Sequence, residues 1–126
     1  MEKIVIANKK APAAIGPYSP GIKVGNLIFV SGQLPIDPET GKIIGGNIET
    51  KTSRILENIK AILESSSAGM ENVVKTTVFL KDMNDFPLVN QTYAQYFKEK
   101  FPARSCIEVS RLPKDADIEI EAIALL

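Results

Sequence analysis

The sequence predicts an α+β fold: a mixed β-sheet with two helices packed on one face, formed by a single domain over residues 1–126. Two stretches, 48–66 and 85–100, carry apolar residues at helical spacing. The remaining regular segments are short, rich in β-branched residues, and alternate or run apolar on both sides. They occur in the order strand, hairpin, helix, strand, helix, two strands. Two helices cover only one side of such a sheet, so the apolar residues on the other side are expected to meet another subunit.

Residues 3–7, KIVIA, read as the first strand. In residues 11–21, APAAIGPYSPG, the Gly-Pro and Pro-Gly pairs mark an ordered loop. Residues 22–34, IKVGNLIFVSGQL, read as a hairpin turning at Gly25-Asn26. In its second arm Leu27, Phe29 and Ser31 share one face, and Ile28, Val30 and Gly32 the other. Asp37-Pro38 and Thr40-Gly41 make 35–46 a loop. Asn47 is placed to cap the first helix, whose buried stripe is Ile48, Thr52, Ile55, Leu56, Ile59, Ile62 and Leu63, with Gly69 near its stop. NVVKTTVFL, residues 72–80, reads as a strand with Val74, Thr76, Val78 and Leu80 on one face. Asn84 is the expected cap of the second helix, Pro87 fits its first turn, and Phe86, Val89, Tyr93, Tyr96 and Phe97 form its stripe; Pro102 is expected to end it. Strands at 104–110 and 118–125 close the chain, with Ile107 and Val109 assigned to the core.

Composition narrows the chemistry. Lysine plus arginine equals aspartate plus glutamate, 15 each, which argues against nucleic acid or an anionic membrane as the main partner. No apolar run is long enough for a membrane helix, and the opening MEKIVIANKK lacks a signal-peptide pattern, so a cytoplasmic protein is expected. The single cysteine cannot form an internal disulfide. There is no histidine, which removes the Ser-His-Asp and Cys-His constellations and the commonest metal ligand, so no metal site is expected. GKIIGG does not fit the spacing of a phosphate-binding loop.

The segment FPARSCIEVS, 101–110, puts Arg104 and Cys106 on one strand face, and DIEIEAIALL puts Glu119 and Glu121 on another. If these two strands pair as a hairpin, all four side chains can share a face. One reading is a cross-strand ion pair, contributing roughly 0.2–1 kcal/mol. The other is an anion site, with the planar guanidinium gripping a carboxylate and a nearby glutamate handling water. Cys106 reads either as a small buried hydrophobe or as a thiol whose pKa Arg104 lowers.

PARSCIEVSRL followed by IEI resembles the C-terminal signature of the RidA/YjgF reactive intermediate deaminases. IGPYSPG, FVSGQLPIDPETG, VVKTTVFLKDMNDFPLVNQTY and RLPKDADIEIEAIA are similar to that family in the same order, so the resemblance spans essentially the whole chain. It implies a compact homotrimer of chorismate-mutase-like α+β fold with clefts between neighbouring subunits. The implied activity is hydrolysis of 2-imino acids or their enamine tautomers, such as 2-iminobutanoate and 2-iminopropanoate, to 2-oxo acids and ammonia, without metal or organic cofactor. Such substrates arise when pyridoxal-phosphate-dependent dehydratases act on serine or threonine. By position, Arg104 matches the carboxylate clamp and Glu119 the residue that positions the attacking water. Cys106 falls where the family offers a main-chain N–H, Tyr18 matches an aromatic lining the cleft, and Ser31 and Gly32 match a strand end whose backbone faces the ligand. Asn90 matches a position contributed from the adjacent subunit. A chorismate mutase is a competing reading, though its dianionic substrate would want more cations than Arg104. So is a small-ligand-binding regulatory protein or a ribonuclease-like translation inhibitor, against which stands the absence of a basic stripe interleaved with aromatics.

Overall fold

The computed structural model describes all 126 residues. Its strands are β1 (Lys3–Ile6), β2 (Gly21–Val24), β3 (Leu27–Gln33), β4 (Val73–Leu80), β5 (Ala103–Glu108) and β6 (Ile118–Leu125), and its helices are α1 (Ile48–Glu64) and α2 (Phe86–Tyr96). The strands form one sheet in the order β1-β2-β3-β6-β4-β5. All neighbours are antiparallel except β4 and β5, which run parallel and are joined through α2, the kind of crossover a parallel pair requires. This is the predicted α+β architecture. The final two strands, however, do not form a hairpin: β4 lies between β5 and β6.

Periodicity explains the covered face. Ile28 and Val30 of β3, Val78 and Leu80 of β4, and Ile118, Ile120 and Ala122 of β6 point to one side and are buried against Ile55, Leu56, Ile59 and Ile62 of α1. Each such large side chain stabilises the fold by about 1.5–3 kcal/mol relative to leaving it in water. The Asn47 side chain caps α1 as expected, accepting the Thr50 N–H at 2.9 Å. Gly25 carries the positive φ of the β2–β3 turn, +57°, which suits a residue without a Cβ.

Four readings need correction. The α2 helix stops at Tyr96, well before Pro102, because Phe97 leaves helical geometry and turns its ring into the core 4.6 Å from that of Tyr93. Asn84 does not cap it. A single 3₁₀ turn, Met83–Asp85, precedes α2, and there the Asp82 side chain accepts the Asn84 N–H at 2.9 Å. In β4 the register against β6 shifts between Val73 and Lys75, so Val74 falls out of the buried row and is 45% exposed. Ile107, assigned to the core, lies on the other side of the sheet and is likewise 45% exposed.

That other side has no helix. Val5, Ile22, Phe29 and Ile123 stand in one row across β1, β2, β3 and β6, with Leu27 and Leu125 opposed in the next. Phe29 and Leu125 remain 42% and 46% exposed, which leaves an apolar surface of the kind that marks an interaction site. No helix is long and apolar enough to cross a membrane.

Candidate functional site

Arg104 lies on β5, at the edge of the sheet, opposite Thr76 of β4. Partners in register share a face, so its side chain emerges on the helix side. There α2 presents Phe86, Asn90 and Tyr93 at i, i+4 and i+7, one stripe of a helix. The Arg104 Nη1 donates to Asn90 Oδ1 at 2.8 Å. The guanidinium carbon sits 5.1 Å from the Phe86 ring centroid and 4.9 Å from that of Tyr93. The ion pairs of the chain are Lys51–Asp117 and Arg111–Asp115, so Arg104 meets no carboxylate. Cys106, two residues along, is partly buried. Burial pushes its thiol pKa up, against the smaller opposing pull of Arg104 and the Ile107 N–H.

Glu119 belongs to a different neighbourhood. Between Val30 and Gln33 the β3 strand takes three steps while β6 takes two, from Ala122 to Ile120. This bulge falls on Ser31-Gly32. It is tied to the preceding loop: the Ser31 N–H donates to the Pro20 carbonyl at 3.0 Å, and the Ser31 hydroxyl donates to the Ser19 carbonyl at 2.6 Å. Those bonds bring Tyr18, half exposed, to the same place. Gly32 lies directly against the Glu119 carboxylate, where a Cβ would come within 2.7 Å of Oε2. Tyr18, Ser31, Gly32, Ile36, Lys114 and Glu119 are among the residues lining a cleft of about 690 Å³. Burial pushes the Glu119 pKa above the ordinary 4.5, and the nearby Glu121 charge adds to it. No protein group donates a hydrogen bond to this carboxylate, which leaves it free to bind water or a ligand.

The registers decide how these groups relate. Arg104 aligns with Thr76, whereas Glu119 aligns with Phe79, three residues further along β4. The two side chains therefore project from opposite faces of the sheet, contrary to the expected common face. One chain brings together Arg104 and Asn90, with Cys106 alongside on β5, and separately Tyr18, Ser31, Gly32 and Glu119. Asn90, which the resemblance assigns to an adjacent subunit, bonds to the Arg104 of its own chain.

Sequence reasoning missed three contributors. Phe86 and Tyr93 read as core, and the signal lay in the polar Asn90 interrupting their stripe. Asn58, fully buried in α1, donates to the Ile36 carbonyl at 3.0 Å and the Leu34 carbonyl at 3.4 Å, while its Oδ1 accepts from Arg54 Nε and Nη2. It thereby pins the cleft wall that follows the bulge. No group of three or more acidic or cysteine side chains is placed to hold a metal ion.

Residues 8–126 match the family model described as Endoribonuclease L-PSP. A RutC family protein of Pyrococcus abyssi is 61% identical over 124 residues, covering 98% of each chain. The 2-iminobutanoate/2-iminopropanoate deaminase of Salmonella typhimurium is 52% identical over 123 residues, 95% of each. The crystal structure of TdcF from E. coli with bound serine is similar at a TM-score of 0.93 and 43% identity, covering 98% of each chain. The chain belongs to this family, the RidA/YjgF family of the sequence resemblance.

Proposed function

We propose that this protein is a hydrolytic deaminase that converts small 2-imino acids to 2-oxo acids and ammonia, working as a homotrimer with its sites between copies. The observation that carries this reading is the placement of Arg104 and Glu119: each lacks a charged partner in its own chain, and they face opposite ways from one sheet. A second copy seated on the open apolar face would bring its Arg104 edge to the mouth of the Glu119 cleft. Burial of Phe29, Leu27 and Leu125 would drive that association.

The chemistry follows from the two groups. A 2-imino acid presents a carboxylate beside a C=N carbon. Arg104 takes the carboxylate through N–H groups not used by Asn90, which fixes the imine carbon in place. Glu119 accepts a proton from water as the oxygen adds to that carbon, and returns it to the nitrogen. The hydroxyl proton of the resulting carbinolamine then passes to its nitrogen as the C–N bond breaks, so ammonia leaves and the carbonyl of the 2-oxo acid forms. A carboxylate with a raised pKa suits a group that must both take and release a proton. The deaminase name of the Salmonella relative and the serine bound to TdcF, a small amino acid with the same carboxylate, support this substrate class.

The test couples a threonine dehydratase to the protein and follows release of 2-oxobutanoate and ammonia. Acceleration of imine breakdown by wild type, absent with Arg104→Ala, is the expected result. A wild-type protein that leaves the spontaneous rate unchanged overturns the assignment.

A further inference from the structure

We propose that Phe86 and Tyr93 are positioning residues that hold the Arg104 guanidinium on neutral partners, so that its whole positive charge remains available to a ligand carboxylate. The inference rests on the carboxylate-binding part of the proposed function.

An arginine on an edge strand needs something to fix it, since a free side chain of this length loses considerable rotamer entropy when a ligand orders it. The usual restraint is an aspartate or glutamate. Such a partner would be self-defeating here, because a carboxylate already on the guanidinium competes with the incoming one. The chain uses three uncharged restraints instead. The rings of Phe86 and Tyr93 lie 5.1 and 4.9 Å from the guanidinium carbon, within the range in which a cation is drawn to an aromatic face. Asn90 contributes an amide oxygen at 2.8 Å. None of them cancels charge.

The Tyr93 ring is itself held from two sides. Tyr93 is 4% exposed, and its ring packs against Phe97 at 4.6 Å. Its hydroxyl pairs with Thr76 Oγ1 at 2.7 Å, and Thr76 is the residue opposite Arg104 in the sheet. One hydrogen bond thus locks the ring to the strand beside the one that carries the arginine. The guanidinium thus rests against a ring that is anchored to the neighbouring strand.

The experiment measures binding of 2-oxobutanoate to the assembled protein by calorimetry, beside KM and kcat for imine hydrolysis. Asn90→Asp keeps the shape of the side chain but places a carboxylate on Arg104. It should weaken 2-oxobutanoate binding by about 30-fold or more, ~2 kcal/mol, and raise KM in step with little change in kcat, whereas Asn90→Ala should cost far less. Phe86→Leu should weaken binding about fivefold, ~1 kcal/mol. Tyr93→Leu, which removes the ring, should resemble Phe86→Leu, and Tyr93→Phe, which keeps the ring but loses its bond to Thr76, should weaken binding by less than Tyr93→Leu. Should Tyr93→Leu fail to fold, Phe86→Leu and Asn90→Asp still decide. Equal binding by Asn90→Asp and Asn90→Ala, unaltered binding by Phe86→Leu, or no binding of 2-oxobutanoate by wild type overturns the inference. Wild type that binds 2-oxobutanoate yet hydrolyses no imine overturns the deaminase reading and leaves this one standing.

Discussion

The Arg104 edge and the Glu119 cleft solve the same problem, keeping a charged group ready, in opposite ways. Arg104 is exposed and restrained by neighbours that attract it without neutralising it. Glu119 is half-buried, accepts no hydrogen bond from protein, and is crowded by a glycine instead of held by a donor. Exposure leaves the guanidinium fork open to an incoming carboxylate. Burial pushes the pKa of the glutamate up, since desolvation penalises its charged form. The difference suits a permanent anchor on one side and a group that exchanges a proton on the other.

Breaking either half should show the contrast. Arg104→Ala should lower kcat/KM by on the order of 10³-fold or more while the thermal midpoint stays close to wild type, because an exposed side chain is removed. Glu119→Gln should lower kcat by about 10²–10⁴-fold and leave 2-oxobutanoate binding nearly intact. If the halves belong to different copies, unfolding and reassembling an equal mixture of these two inactive variants should restore activity at about one quarter of the sites, the fraction that receives both intact halves. No recovery on mixing would place both groups of a working site in one chain.

Smaller effects sharpen the Glu119 side. Gly32→Ala puts a methyl 2.7 Å from Glu119 Oε2 and should lower kcat by about tenfold to 100-fold by displacing the carboxylate. The same change made on a Glu119→Ala background should do little, and a double-mutant cycle reads the difference. The raised Glu119 pKa sets a sign. Its protonated form is favoured in the folded state, so stability is fullest below the ordinary 4.5 and declines as pH rises through the higher folded value. Glu119→Gln should therefore melt above wild type at neutral pH, with the gap closing toward pH 4, and the acid limb of wild-type turnover should lie above 4.5. Cys106→Ser should change turnover least, within about twofold, because the thiol is partly buried and its pKa is raised.

How much of this was legible follows from where the information lies. The stripe of α1, its Asn47 cap and the Gly25-Asn26 turn are local, and each was readable. The end of α2 was not, because Phe97 leaves the helix for a tertiary contact with Tyr93 that outweighs local propensity. Arg104, Glu119, Tyr18 and Ser31 were nominated by motif, but their spatial relation was not legible. A hairpin between neighbouring strands is the simplest guess, whereas β4 inserts between them and the parallel β4–β5 register sets the face. The bulge at Ser31-Gly32 leaves no mark in periodicity, and neither does the reach of Asn58 to the Leu34 and Ile36 carbonyls.

The sequence by itself determined the α+β class, the helical stripes, the absence of any histidine-based chemistry, and the residue types available for an anion site. Short-range spacing encodes all of these. Tertiary structure alone decided that Arg104 and Glu119 face apart, that Arg104 rests on two aromatic rings, and that Gly32 crowds a carboxylate. Those depend on which strand inserts where and in what register, and a one-residue shift in a β-sheet turns every side chain to the other face.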